Sequence, residues 1–258
     1  MLSVNRITAR YNQETILRDL ELKARPGEFI GIVGPNGSGK TTFLRCVARL
    51  LKPSIGKVLL GSDDLYSKDP VEVAKQIGFV PQSWVPSFEF TALEIVLMGR
   101  TAYLNRLQME SEDDIQLAKK SMKLTNCSHL ENRLVTQLSG GERQRVIIAM
   151  VLTQEPSILL LDEPTLHLDL RNQLEILNLL KKLCNEEGLT VLAALHDFNL
   201  ASRYSSKVML IHQGQLESLG SPESVLKEEN LRRFFGIRAI VQKNQETGFL
   251  QINPIGIS

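Results

Sequence analysis

The 258-residue sequence has no apolar run that approaches the roughly 18–20 residues needed to cross a bilayer. Its three cysteines, Cys46, Cys127 and Cys184, lie far apart without the spacing of metal ligands, so we expect reduced thiols in the core. Charges nearly cancel, with a formal net charge of +1, which gives no reason to expect a nucleic-acid partner. The first residues lack the apolar core of a signal peptide, and we expect a cytosolic chain.

Short apolar runs alternate with helical patterns. Hydrophobic residues make up 43% of the chain and charged residues 23%, which is ordinary for a protein with a sizeable core. Apolar runs predict strands at 29–33, 77–82, 157–164 and 189–195, helical periodicity covers 41–51, and 207–218 predicts a hairpin turning near Gly214. This alternation predicts an α/β fold with a mainly parallel sheet.

Residues 89–135 interrupt this alternation, because they show helical patterns with no strand between them. We predict a single domain over 1–258, with residues 1–88 and 136–258 forming the α/β core and 89–135 forming an inserted helical subdomain. The tail, 237–258, has weak strand signals and no motif that assigns it a role.

The segment GPNGSGKT, residues 34–41, fits the pattern G-x-x-x-x-G-K-[ST] and lies between a predicted strand and a predicted helix. In such a loop, glycines let backbone N–H groups converge on phosphate oxygens, and the helix N-terminus adds its dipole. Lys40 supplies a positive charge, Thr41 offers a hydroxyl to Mg²⁺, and Thr42 supports the α-phosphate end. The predicted nucleotide-binding residues are Gly34, Asn36, Gly37, Ser38, Gly39, Lys40, Thr41 and Thr42.

Polar residues follow the predicted buried strands at the edge where open α/β sheets bind ligands. Asp162 is suited to hold Mg²⁺ through water, and Glu163 to polarise the attacking water. An acidic pair at a helix start is the alternative, but the apolar strand directly before the pair disfavours it. His196 follows the next strand, and we expect it to contact the γ-phosphate. Gln82 ends the strand predicted at 77–82, and we expect it to complete the shell of ligands around Mg²⁺ and the attacking water.

The stretch LSGGERQR, residues 138–145, precedes an apolar helix. Ser139 and Glu142 have the spacing of a helix capping box. A cap does not explain the glycines Gly140 and Gly141, and a capped N-terminus with bare glycine backbone is also an anion site.

In chain order, GPNGSGKTT, Gln82, LSGGERQ, ILLLDEP, Asp169 and His196 resemble the ATP-binding subunit of an ABC transporter over essentially the whole chain. The resemblance implies a phosphate-loop NTPase core with an N-terminal antiparallel β portion. It also implies ATP and Mg²⁺ as ligands.

By the same resemblance, the subunit pairs head to tail with a second copy of itself. Ser139, Gly140, Gly141 and Glu142 would then contact the partner's nucleotide, and Asp169 would couple the two sites. The resemblance also places Tyr11 against adenine, although a packed tyrosine in an edge strand remains an alternative. Gln82 would sense the γ-phosphate and relay to the helical subdomain, whose surface would contact a separate transmembrane permease.

FEFTALEIVLMGRTAYL, EPTLHLDL and LHDFNLASRY resemble subunits of bacterial and archaeal importers of iron–siderophore complexes, haem or vitamin B12. This implies a place at the cytoplasmic face of the membrane and an external substrate-binding protein that acts through the permease. Leu166 departs from the small residue usual there. An exporter subunit and a soluble ABC ATPase of the cluster-assembly type remain alternatives. His167 is expected to be structural, and His129 and His212 to be surface or loop residues.

Overall fold

The computed structural model describes residues 1–84, 88–105, 108–166 and 168–258, so the expectation for His167 lies outside the described residues. The strands are β1 (Leu2–Tyr11), β2 (Glu14–Ala24), β3 (Phe29–Val33), β4 (Ile55–Leu60), β5 (Asp63–Asp64), β6 (Ile77–Val80), β7 (Ile158–Asp162), β8 (Thr190–Ala194), β9 (Lys207–His212), β10 (Gln215–Gly220), β11 (Ile237–Lys243) and β12 (Leu250–Ile257). The α-helices are α1 (Lys40–Val47), α2 (Pro70–Ala74), α3 (Ala92–Leu97), α4 (Glu112–Leu124), α5 (Gly140–Thr153), α6 (Leu170–Glu187), α7 (Phe198–Tyr204), α8 (Pro222–Val225) and α9 (Glu228–Phe235). Short 3₁₀ helices in the described ranges span Met98–Tyr103, Ser128–Leu130 and Val135–Gln137.

The central sheet has six strands in the order β10-β9-β3-β8-β7-β6. Neighbouring strands from β9 to β6 pair in parallel, and β10 pairs antiparallel with β9 at one edge. The predicted α/β fold with a mainly parallel sheet is therefore confirmed, as is the hairpin over 207–218.

The central strands are buried on both faces, as their continuous apolar runs predict. In β7, Leu159 and Leu161 pack into one hydrophobic cluster, whereas Ile158 and Leu160 pack into the other. Alternate side chains of a strand point to opposite faces, so each face of the sheet is covered by its own layer. Because β6, β7 and β8 pair in parallel, their carboxyl ends meet at one edge of the sheet.

The N-terminal strands form a separate antiparallel sheet in the order β2-β1-β4-β5. Its buried residues share a cluster with α1 and one face of the central sheet. Helix α1 ends at Val47, so the predicted helix over 41–51 was wrong at its end. The reason is local, because Arg49 has a φ of 62°, a left-handed conformation that cannot continue a right-handed helix. At the other terminus, β11 and β12 form a two-stranded antiparallel sheet.

Helices α3 and α4 build a third hydrophobic cluster, in which Ile95 and Met122 pack with Val146 of α5. The next residues along α5, Ile147 and Ile148, belong to a cluster of the central sheet. Helix α5 therefore joins the helical segment to the α/β core. In the described ranges, we find no helix that is both long and apolar enough to span a membrane.

Arg100 ties the Met98–Tyr103 helix to its neighbours. Its Nε donates to Asp114 Oδ1 at 2.7 Å, and its Nη1 donates to the carbonyl oxygen of Thr153 at 3.1 Å. The guanidinium also lies 3.8 Å from the centroid of the Tyr103 ring. Both side chains of the Arg100–Asp114 pair are only 10% exposed, so the pair is nearly shielded from water.

Replacing Arg100 with methionine should destabilise the fold, because it leaves the Asp114 carboxylate without its buried partner. Losing a hydrogen bond to a charged group typically costs about 1.5–3 kcal/mol, which urea unfolding can measure. The double variant Arg100→Met/Asp114→Asn should recover part of this loss. Arg6→Met, which breaks a solvent-exposed pair with Asp19, should leave the unfolding midpoint unchanged. Equal losses from both arginines would contradict a special role for the buried pair.

Candidate nucleotide-binding site

The loop of residues 34–39 connects β3 to α1 and is built on backbone conformations that glycine favours. Gly37 has a φ of 76° and Gly39 a φ of 106°. A Cβ on Gly34 would lie 2.1 Å from the carbonyl oxygen of Ile211, so this position accepts only glycine. Helix α1 starts at Lys40 with Gly39 as its N-cap, which has no side chain to cap the helix. The first N–H groups of α1 are thus left for another acceptor.

The ammonium group of Lys40 lies inside the loop. Its Nζ donates to the carbonyl oxygens of Gly34 at 2.8 Å and Pro35 at 3.1 Å. Burial lowers the pKa of Lys40, against the opposing effect of the carboxylates of Glu163 and Asp162. Ser38 Oγ is buried and has no hydrogen-bond partner among the described residues. A buried cation and an unpaired buried hydroxyl fit an anionic ligand such as a triphosphate.

Thr41 and Asp162 meet at the carboxyl end of β7. Thr41 Oγ1 donates to Asp162 Oδ1 at 3.0 Å. Burial raises the pKa of Asp162, whereas the hydrogen bond from Thr41 lowers it. A hydroxyl and a carboxylate beside a phosphate loop form the oxygen donor set that suits Mg²⁺.

Glu163 follows β7 directly and is held between two side chains from neighbouring strand ends. Gln82 Nε2 donates to Glu163 Oε2 at 2.7 Å, and His196 Nε2 contacts Glu163 Oε1. Glu163 has a φ of 54°, a conformation uncommon for residues other than glycine and one that recurs at functional sites. Gln82 and His196, both predicted to reach this edge of the sheet, therefore each contact Glu163.

These groups border a cleft of about 670 Å³. The residues lining it are Tyr11, Ile16, Asn36, Gly37, Ser38, Gly39, Lys40, Thr41, Thr42, Gln82, Glu163, Leu166 and His196. Tyr11 is 39% exposed at the end of β1, and its hydroxyl accepts a hydrogen bond from Arg45 Nη1 at 3.2 Å.

The stretch LSGGERQR, residues 138–145 and called the signature segment below, lies apart from this cleft. Ser139 Oγ accepts from the backbone N–H of Glu142 at 3.3 Å, and Glu142 Oε2 accepts from the N–H and hydroxyl of Ser139, so the capping box is present. These hydrogen bonds lower the pKa of Glu142. Asp169 is the N-cap of α6. Within the described part of the chain, neither 139–142 nor Asp169 contributes to the cleft lining.

The comparisons with known proteins place this architecture in a family. The family model described as ABC transporter matches residues 17–166, more than half of the chain. The chain belongs to the ABC transporter family. As in that family, it is an ATP-binding ATPase.

Among the relatives of this ABC ATPase is the petrobactin import ATP-binding protein FpuC of Bacillus anthracis, 36% identical over 96% of this chain and 92% of the relative. The hemin import ATP-binding protein HmuV of Pseudomonas aeruginosa is 40% identical, over 96% of this chain and 97% of the relative. An inward-facing metal-chelate type ABC transporter has a TM-score of 0.87 at 30% identity, covering 100% of this chain and 97% of the other. A dimeric ATP-binding cassette with bound ADP and Pi has a TM-score of 0.76 at 33% identity, covering 86% of this chain and 99% of the other.

One cleft residue of this ABC ATPase, Ile16, and the surroundings of His212 were not indicated by the sequence. Ile16 lines the cleft from β2, near Tyr11 across the β1–β2 hairpin, and an isoleucine in a strand carries no signal for this. His129 is exposed, as expected. The expectation for His212 was wrong, because it ends β9 and its half-buried ring packs 5.3 Å from that of Phe234.

Proposed function

We propose that this ATPase is the ATP-hydrolysing subunit of a membrane importer and works as a head-to-tail dimer. The cargo class we propose is an iron–siderophore complex, haem or a cobalamin. Support comes from import ATP-binding proteins at 36–40% identity over nearly the whole chain. The ferric enterobactin transport ATP-binding protein FepC of Escherichia coli, 36% identical over 97% of the chain, adds to it.

The observation that carries the proposed hydrolysis is the position of Glu163 beside the phosphate loop, held by Gln82 and His196. In this role, the Glu163 carboxylate accepts a proton from water, and His196 contacts the γ-phosphate. Lys40 balances the negative charge of the terminal phosphates. Bound Mg²⁺, held by Thr41, Asp162 and Gln82, would supply further charge neutralisation.

The proposed dimer rests on Gly140, whose presence the single chain does not explain. A Cβ at Gly140 would meet nothing within 4 Å, and its φ does not lie in the left-handed region. Glycine loses more backbone entropy in a helix than alanine does, and no contact among the described residues of one subunit accounts for glycine at this position. We infer that the bare backbone of Ser139, Gly140 and Gly141 admits the γ-phosphate held by the partner subunit.

Two further residues complete the proposed nucleotide contacts. Tyr11 would stack on adenine, with its ring restrained by the hydrogen bond from Arg45. Asp169 would contact the second copy and couple the two sites. In this cycle, two subunits close around bound ATP and thereby drive the permease, and hydrolysis then lets the two subunits separate.

A groove of about 460 Å³ between the α/β core and the helical segment is the proposed docking site for the permease. Its lining is mostly apolar and comes from α2, β6, the Met98–Tyr103 helix and α5. Val71 and Met98, which are 47% and 37% exposed, lie together in this groove and give it a contiguous apolar surface, which is a feature of interaction sites. We propose that a cytoplasmic segment of a separate transmembrane subunit docks here, which would hold the ATPase at the cytoplasmic face of the membrane. An external substrate-binding protein would act only through that permease.

Affinity capture of the tagged ATPase from detergent-solubilised native membranes tests this assignment. We expect mass spectrometry to identify a polytopic membrane protein, and Val71→Glu should abolish its recovery because a charge in the groove opposes docking. The matched control is Ile55→Glu, which places the same charge on β4 at an exposed apolar residue outside the groove. Reproducible capture of soluble partners alone would instead favour a soluble ABC ATPase.

A further inference from the structure

We propose that Asn172 is a positioning residue that fastens Asp169 to the signature helix α5. It would hold as one unit the two segments that face the second copy in the proposed dimer. This inference rests on the proposed function, because only the dimer gives both segments a common partner.

Asn172 donates hydrogen bonds to both carboxylate oxygens of Asp169, one from its backbone and one from its side chain. The backbone N–H donates to Asp169 Oδ1 at 2.8 Å, which is an ordinary helix N-cap. In addition, Asn172 Nδ2 donates to Asp169 Oδ2 at 2.8 Å. The orientation of Asp169 therefore depends on the amide of Asn172 as well as on the helix.

The same amide reaches α5 through its oxygen. Arg145 Nη2 donates to Asn172 Oδ1 at 2.6 Å, and Arg145 is 9% exposed. A Cβ on Gly141 would lie 3.2 Å from Asn172 Nδ2, so the first turn of α5 passes close to this amide. One side chain thus bridges Asp169 and the helix that begins at the signature.

Arg145 is itself fixed by two other groups. Its Nη2 also donates to Glu175 Oε2 at 2.6 Å, and its Nη1 donates to the carbonyl oxygen of Thr125 at 3.2 Å. Hydrogen bonds from Arg171 and Arg145 lower the pKa of Glu175, which keeps its carboxylate charged at neutral pH. The contact with Glu175 holds α5 on α6 whether or not Asn172 binds Asp169, and the contact with Thr125 holds α5 at the end of α4. The two roles can therefore be separated.

Asn172→Asp separates them. A carboxylate of the same shape still accepts from Arg145, so the contact between α5 and α6 remains. It cannot donate to Asp169, and it places two like charges side by side. In a Glu163→Gln background, we expect ATP-dependent dimerisation at least tenfold weaker by analytical ultracentrifugation. The ATP affinity of the monomer should stay unchanged, and the melting temperature should change little, because the Asn172–Asp169 pair is exposed to solvent.

The matched control is Asn178→Asp on the same helix, where the side-chain oxygen accepts from the Tyr204 hydroxyl outside this network. It should dimerise like its parent. An Asn172→Asp protein that also dimerises like its parent would overturn the inference, and so would parallel losses of melting temperature and ATP affinity.

Hydrogen exchange of the monomer tests the link independently of the dimer. The first-turn amides of α6 should exchange faster in Asn172→Asp and recover in Asp169→Asn/Asn172→Asp, which restores the side-chain bond with donor and acceptor reversed. Unchanged exchange rates would overturn the link itself. A Glu163→Gln parent that binds ATP yet stays monomeric would instead reject the dimer of the proposed function, and with it the proposed role of Asn172.

Discussion

Glu163→Gln should bind ATP like the parent protein and hydrolyse it about 10²–10⁴-fold more slowly, the usual contribution of a general base. Glutamine keeps the shape of the side chain that Gln82 and His196 hold, but it cannot take a proton from water. ATP that is bound and not cleaved should keep two subunits closed around it. We therefore expect the subunit mass of 28.9 kDa to double in the presence of ATP.

Phosphate release and light scattering on a sizing column measure the two halves of this prediction. Glu229→Gln, an exposed change on α9 away from the cleft, should hydrolyse ATP at the parental rate. Parental hydrolysis by Glu163→Gln would remove this carboxylate from the proposed mechanism. Slow hydrolysis without a dimer would leave Glu163 as the base and count against the shared site.

The sequence predicted best those parts of the molecule whose signals are local and periodic. The apolar runs around β7 and β8 indicated strands buried on both faces, because no exposed position interrupts them. The phosphate loop was equally readable, since its glycines and Lys40 have a fixed spacing. Once these strands were ordered in a parallel sheet, Gln82 and His196 had to arrive beside Glu163.

What the sequence could not predict depends on pairs that are distant in the chain. The contacts of Arg145 with Asn172 and of Arg100 with Asp114 each join different helices, and no short motif encodes them. The end of α1 also escaped prediction, because apolar periodicity continues past the left-handed Arg49 that stops the helix.

Gly140 is the residue at which stability and function should oppose each other most clearly. Gly140→Ala should stabilise the isolated subunit by up to about 1 kcal/mol, because alanine loses less backbone entropy in a helix and the added Cβ meets open space. The same methyl should weaken ATP-dependent dimerisation in the Glu163→Gln background, because it occupies space that the proposed nucleotide contact needs. Gly140→Gln should weaken it further, since poor accommodation of extra atoms costs about 1–3 kcal/mol, roughly 5- to 140-fold in affinity.

Thermal unfolding and sedimentation of the same samples give both quantities. Gly256→Ala is the matched control, because Gly256 also has open space around its Cβ and a φ outside the left-handed region, but lies in β12. It should leave dimerisation unchanged. A Gly140 variant that is at least as stable as the parent but fails to dimerise is expected only if residue 140 contacts the second subunit or its nucleotide. A Gly140→Gln protein that dimerises normally would show that the partner's nucleotide does not need direct access to the backbone at residue 140. The proposed head-to-tail arrangement would then lose its main structural support.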